Sequence, residues 1–227
     1  ALMQSLLMST AEPMLEAENT YYPVLRQGAG LANIGAAISA GSYLMMDADA
    51  TDSYKDGKIK AELGDDPART GTFSFGYTIN NLSDTASAFS LSADFFTQGV
   101  YTDVAYEDTM TVPVPSTVTF LIDGKLVETS APEEMKHCDF NGDGKITSAD
   151  GQALLDYVTG VRTEISGKSR ADLDKDGDID TYDAYLFFSR LSSAAVTVPA
   201  NGKIHVTIRA KVLGLDSYDE KNGGAGA

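Results

Sequence analysis

Two short stretches of this chain place oxygen-bearing side chains at a repeated spacing. The first reads Asp139-Phe140-Asn141-Gly142-Asp143-Gly144-Lys145-Ile146-Thr147-Ser148-Ala149-Asp150. The second reads Asp172-Leu173-Asp174-Lys175-Asp176-Gly177-Asp178-Ile179-Asp180-Thr181-Tyr182-Asp183. Counting each as positions 1 to 12, both carry oxygen side chains at 1, 3, 5 and 12, glycine at 6 and isoleucine at 8. A hard cation that takes roughly six to eight oxygens suits such a wrap, and calcium fits it better than magnesium with its smaller, stricter octahedral shell. The expected side-chain ligands are Asp139, Asn141, Asp143 and Asp150, then Asp172, Asp174, Asp176 and Asp183. Position 7 (Lys145, Asp178) is expected to offer its backbone carbonyl, and position 9 (Thr147, Asp180) to act through water. Two calcium ions are therefore expected. Isoleucine at position 8 predicts a short β-contact that pairs the two loops.

The composition narrows the remaining possibilities. Among 227 residues, 33 acidic side chains face 17 basic ones, for a formal charge of -16. Such a surface repels nucleic acid and anionic membranes. No run of apolar residues is long enough for a transmembrane helix, so no membrane insertion is expected. The single cysteine, Cys138, excludes an intramolecular disulfide and reads as a small buried hydrophobe. The histidines are His137 and His205. His205 alternates with Ile204 and Val206, which predicts that it faces solvent.

The elements that must hold the loops follow from periodicity. Leu2, Met3, Leu6, Leu7 and Met8 recur at helical spacing until Pro13, and Leu31 to Ala40 predicts a second short helix after a glycine turn at 26–30. Neither helix can bury its face alone. Alternation then predicts strands at Lys58–Leu63, Thr72–Ile79 and Phe89–Ala93, with a turn cluster at Asn80–Asp84. Thr117–Ile122 and Leu126–Thr129 flank Asp123-Gly124, a hairpin signal. The strand period returns at Ala195–Val198 and Lys203–Ile208. Asn222–Ala227 reads as a linker-like tail. An acidic, helix-prone segment thus interrupts a run of strands, the pattern of an inserted domain.

The two loops, each followed by a helical run (Asp150–Val158 and Asp183–Leu191) with no helix before it, resemble a type I dockerin over about residues 133–192. The resemblance implies an all-α, EF-hand-like module that folds on calcium and docks to a cohesin module. It implies contacts from Ser148, Ala149, Leu155 and Asp156 in the first half, and Thr181, Tyr182, Phe188 and Ser189 in the second. Most of Leu154, Leu155, Tyr157, Leu186, Phe187 and Phe188 are at the same time expected as the module's small core.

The flanks resemble a different family. Leu6–Ala11, then Arg26–Asn33 and Ala36, look like the closing segment of a subtilisin-like serine protease domain, most similar to the large lactocepin-like cell-envelope proteases of Gram-positive bacteria. Lys58–Val127 and Ala195–Lys211 resemble the fibronectin type III-like sandwich that follows it there. The expected fold is therefore mixed and multi-domain: 1–42 as the end of a subtilisin-like α/β domain, 43–131 with 193–227 as a discontinuous all-β sandwich, and 132–192 as the inserted dockerin. The opening at Ala1, inside an amphipathic pattern, reads as a cut in a longer protein. No Gly-Thr-Ser-Met-type nucleophile motif occurs in the chain, so no catalytic residue is expected here. By resemblance the chain is an accessory segment of a secreted or cell-surface serine endopeptidase, with a cohesin and the upstream protease domain as partners. Two alternatives stay open: a calcium-stabilised structural insert without a cohesin, or an accessory segment of a cellulosomal glycan-degrading enzyme.

Overall fold

A computed structural model describes residues 2–17, 20–47, 59–61, 63–64, 66–102, 107–127 and 131–213. These residues form several β-sheets together with helices, and the chain divides into two compact units.

The first unit comprises residues 1–90, 119–127 and 195–209. Helix α1 (Leu2–Ser9) carries the first apolar run and ends before Pro13. A short antiparallel pair, β1 (Leu15–Ala17) with β2 (Thr20–Tyr21), leads to the single turn α2 (Val24–Gln27). Helix α3 (Ile34–Ser39) starts where the Asn33 side chain accepts a hydrogen bond from the Ala36 N–H, satisfying a donor left over at the helix start. Helix α1 packs against α3 and against β3 (Ser42–Met46), where the Ser9 hydroxyl accepts from the Leu44 N–H at 2.9 Å. The outer face of α3 stays open, with Ile34 67% and Ile38 83% exposed.

A five-stranded sheet dominates this unit. Strand β3 pairs antiparallel with β4 (Thr72–Asn81), and the sheet runs β3-β4-β11-β8-β9, with β8 at Ser116–Ile122, β9 at Lys125–Leu126 and β11 at Lys203–Val212. Strand β5 (Ser87–Ser92) pairs with β10 (Ser193–Val198). Alternation does what period-2 geometry requires: Ile204, Val206 and Ile208 turn inward from β11. Residue His205, between them, faces outward and sits 2.8 Å from Asp47 Oδ2. The hairpin signal is realised, since Asp123 and Gly124 both have positive φ (48° and 78°), as a two-residue turn joining β8 to β9 requires. Asn81 stitches the unit together. Its amide group donates to the carbonyls of Thr85 (2.8 Å) and Pro199 (3.0 Å), and its carbonyl accepts from the Ser83 N–H.

One expected strand is not formed. Ile59–Ala61 and Leu63 form no strand; the Ile59 N–H instead approaches the Met8 sulfur of α1 at 3.5 Å. Lys58 and Glu62 lie outside the described residues, as do 128–130 at the end of the expected Leu126–Thr129 strand and the tail at 222–227. Strand β3 had no alternating signature, because its Tyr43-Leu44-Met45-Met46 run is apolar on both faces.

The second unit comprises residues 91–118, 128–194 and 210–227 and contains both acidic loops. Strands β6 (Phe96–Thr102) and β7 (Glu107–Pro113) pair antiparallel from Phe96↔Pro113 to Thr102↔Glu107. A 3-10 turn at Glu133–Met135 precedes the first loop, helix α4 (Ser148–Val158) follows it, and helix α5 (Thr181–Leu191) follows the second. Helices α4 and α5 pack on each other around a core of Met135, Cys138, Phe140, Leu154, Leu155, Phe187 and Phe188.

Candidate metal centre

Each acidic loop is folded by its own carboxylates. In the first, Asp139 Oδ1 accepts from the Gly142 N–H (2.7 Å) and Oδ2 from the Gly144 N–H (2.9 Å). In the second, Asp172 Oδ1 accepts from the Lys175 N–H (2.6 Å) and Oδ2 from the Gly177 N–H (3.1 Å). Position 3 accepts from the N–H of position 5 in both copies, and position 5 from that of position 7. These successive side-chain-to-backbone turns curl the chain so that the carboxylates line the inside of the bend. Position 6 needs a left-handed backbone, and Gly144 (φ 81°) and Gly177 (φ 104°) adopt it. Position 4 is left-handed as well, in Gly142 (φ 81°) and in Lys175 (φ 67°), which the spacing of acids alone does not announce.

Position 12 closes each loop onto its helix. Asp150 accepts from the Asn141 N–H (3.1 Å) and the Thr147 N–H (2.9 Å). Asp183 accepts from the Leu173 N–H and from the Asp180 N–H (2.8 Å). Both aspartates are fully buried, and both form capping boxes with position 9, Thr147 for α4 and Asp180 for α5. A cap of this kind is worth about 1 kcal/mol to the helix. The same residues thus start the helix and finish the loop. The Thr-x-x-Asp and Asp-x-x-Asp spacing carries that signal in the sequence.

The second loop brings its acids together. Ligand oxygens of Asp172, Asp174 and Asp176 all lie within 4.8 Å of one another. An ion with ligand distances of about 2.3–2.6 Å can touch three oxygens so spaced. The crowding has an electrostatic signature. The Asp174 carboxyl is held above its usual value, first by desolvation and then by the charges of Asp176 and Asp172. Burial likewise raises Asp183, against the pull of its two backbone hydrogen bonds. Like charges held this close fit a cationic guest. The oxygens gathered there are all carboxylate, which suits a hard ion rather than a soft one. In the first loop an amide, Asn141, stands where the second has Asp174, and its Nδ2 donates to Asp143 Oδ2 at 3.3 Å. Ile146 and Ile179, at position 8 of each loop, both pack against the shared core, but neither lies in a strand or bridge, so the expected β-contact between the loops is not formed.

The residues proposed for partner contact separate into two kinds. Ser148, Ala149 and Thr181 are exposed, and Asp156, Tyr182 and Ser189 are half-buried. Leu155 (5% exposed) and Phe188 (1%) point inward and belong to the core. Asp156 accepts from Gln152 Nε2 at 2.7 Å. On α5, the Tyr185 hydroxyl and the Ser189 hydroxyl both donate to Asp94 Oδ1, at 3.0 and 2.7 Å. Asp94 has no sequence signal, because it meets α5 across some ninety residues of chain. His137 is exposed while the neighbouring Cys138 is buried, and burial pushes the Cys138 thiol up.

Residues 137–192 match the model of the dockerin type I domain. Dockerin domains bind calcium, typically bind cohesin modules, and occur in extracellular proteins. No curated protein matches the chain. No described helix is long and apolar enough to cross a membrane.

Proposed function

We propose that residues 133–192 are a calcium-folded docking module carried by an accessory segment of a secreted protein. The observation that carries the reading is the convergence of Asp172, Asp174 and Asp176 at loop positions 1, 3 and 5, within a turn that Asp139, Asn141 and Asp143 repeat. Two calcium ions are assigned, one to each loop. Asp139, Asn141, Asp143 and Asp150 would hold the first, with the Lys145 carbonyl and Thr147 through water. Asp172, Asp174, Asp176 and Asp183 would hold the second, with the Asp178 carbonyl and Asp180 through water. Bound calcium supplies positive charge to a site whose acids otherwise repel one another, and so favours the folded loops.

The docking partner assigned is a cohesin, met by the exposed Ser148, Ala149 and Thr181 and the half-buried Asp156 and Tyr182. The parent assigned is a subtilisin-like serine endopeptidase of a Gram-positive cell envelope. Its support is the resemblance of residues 6–36 and of the strand-rich flanks, and the sequence upstream of Ala1 tests it. A second reading, a calcium-stabilised insert with no cohesin, draws support from the Asp94 bonds that already engage part of α5.

Calorimetric calcium titration tests the first claim, with two equivalents expected. Pull-down against a panel of cohesin modules, with calcium and with chelator, tests the second. Calcium-dependent capture supports docking. Calcium uptake with no capture leaves the structural insert as the reading.

A further inference from the structure

The two loop–helix copies are built alike up to their helix starts and then diverge on one face. On α4 that face carries Gln152 and Asp156, one helical turn apart, which bond to each other at 2.7 Å. The corresponding positions of α5 are Tyr185 and Ser189, and both donate to one carboxylate, Asp94 Oδ1. Asp94 lies in the link between β5 and β6, directly before Phe95 and the first ladder residue, Phe96. The ring of Phe96 lies 6.1 Å from that of Tyr185, and Tyr182 stacks on Tyr185 at 5.5 Å. Phe95 also takes part, since its carbonyl accepts from the Val114 N–H just beyond the end of β7. All of these residues belong to the second unit.

Helix α5 is in turn set by its loop. It begins inside the loop, at position 10, and Asp183 at position 12 caps it while closing the loop. Anything that orders Asp172–Asp183 therefore orders the start of the helix that presents Tyr185 and Ser189. We propose that Asp94 is a latch that couples the second calcium loop to the β6–β7 pair, so that calcium uptake stabilises that pair and the pair strengthens calcium uptake. This rests on the calcium reading of the loop. It gives the second copy an internal role that the first lacks, and it leaves the α4 face, with its self-paired Gln152 and Asp156, as the one not engaged by Asp94.

Linkage makes the coupling reciprocal: the factor by which calcium favours the latched state is the factor by which the latch favours calcium. Hydrogen exchange of the whole chain, with calcium and with chelator, reads one direction. Calorimetric calcium titration reads the other. Calcium is expected to slow exchange across Phe96–Thr102 and Glu107–Pro113 about tenfold or more. In Asp94→Ala that slowing should vanish, and the product of the two calcium constants should fall by the same factor. Tyr185→Phe, which removes only the hydroxyl, should give a smaller loss of the same sign. Gln152→Ala, on the equivalent α4 position, should change neither readout.

Calcium uptake with no change in β6–β7 exchange would overturn the latch and leave the calcium reading standing. So would unaltered coupling in both Asp94→Ala and Tyr185→Phe. No calcium uptake by the wild-type chain would overturn the loop assignment and the latch together.

Discussion

Gly151 of α4 lies directly beneath the ring of Phe188 of α5: a Cβ built on Gly151 would sit 2.6 Å from Phe188 Cζ and 2.7 Å from Phe187 Cδ1. The two helices that follow the acidic loops therefore meet where one of them has no side chain. Both phenylalanines are buried in the common core, so neither ring can swing away into solvent.

A residue larger than glycine at 151 should destabilise the module even though it improves helix propensity. Alanine in place of glycine gains about 1 kcal/mol within a helix. Overpacking a closed core costs about 1–3 kcal/mol, and valine adds more bulk still. Gly151→Val is expected to lower both the melting temperature and the calcium affinity, because α4 and α5 carry the loops' last ligands. A Gly151→Val chain with wild-type melting and calcium titration would show that the crossing yields more readily than the geometry implies.

Removing a first-position aspartate should abolish one calcium site and the stabilisation that comes with it. Asp172 folds its loop through two backbone N–H groups and also faces Asp174 and Asp176. Asp172→Ala is therefore expected to bind one calcium fewer. A ligand at a hundred times its Kd stabilises the state it binds by about 2.7 kcal/mol, so the calcium-induced rise in melting temperature should shrink accordingly. Unchanged stoichiometry would remove Asp172 from the ligand set.

Cys138 offers a label-based check on the same equilibrium. Its side chain is 2% exposed, among Met135, Phe140 and Phe187, and burial keeps its thiol protonated. Reaction with an alkylating reagent must wait for local opening. If calcium contributes about 2.7 kcal/mol, labelling should slow about a hundredfold on going from chelator to saturating calcium. Equal rates in both conditions would mean that this core does not depend on the metal.

The pH dependence has a definite sign. Asp174 and Asp183 are raised above their ordinary value of 3.8 in the fold. Their contribution to calcium-free stability is fully present below the unfolded value and is lost as pH rises through the raised folded values. Calcium needs the ionised form, so its affinity should climb over that same window, from about pH 4 upward, with protons released on binding. Asp174→Asn isolates one of the two groups. Melting in chelator should fall less with rising pH in this variant than in the wild type. Parallel pH profiles for the two chains would contradict the raised Asp174.

Much of the candidate site is legible from local sequence. An aspartate side chain and the amide it accepts from lie only three to five residues apart here, so the Asp139 and Asp172 turns, the glycines at 144 and 177, and the helices after Asp150 and Asp183 all follow from spacing. The strands β4, β8 and β11 were visible for a similar reason, because alternation records which face is buried. Strand β3 was hidden by an apolar run with no period. The left-handed Lys175 was hidden because nothing in a lysine advertises that conformation.

What the sequence by itself determined is the chemistry of two oxygen-lined loops, each ending in a capped helix, since every partner in that construction lies within about a dozen residues. Only the tertiary structure decided which helix faces serve which end. It turned Leu155 and Phe188 inward, set Gly151 under Phe188, and brought Asp94 to Tyr185 and Ser189. The physical reason is that such contacts join residues far apart in the chain, where no periodicity or spacing records them, and packing alone selects them from many side chains of similar type.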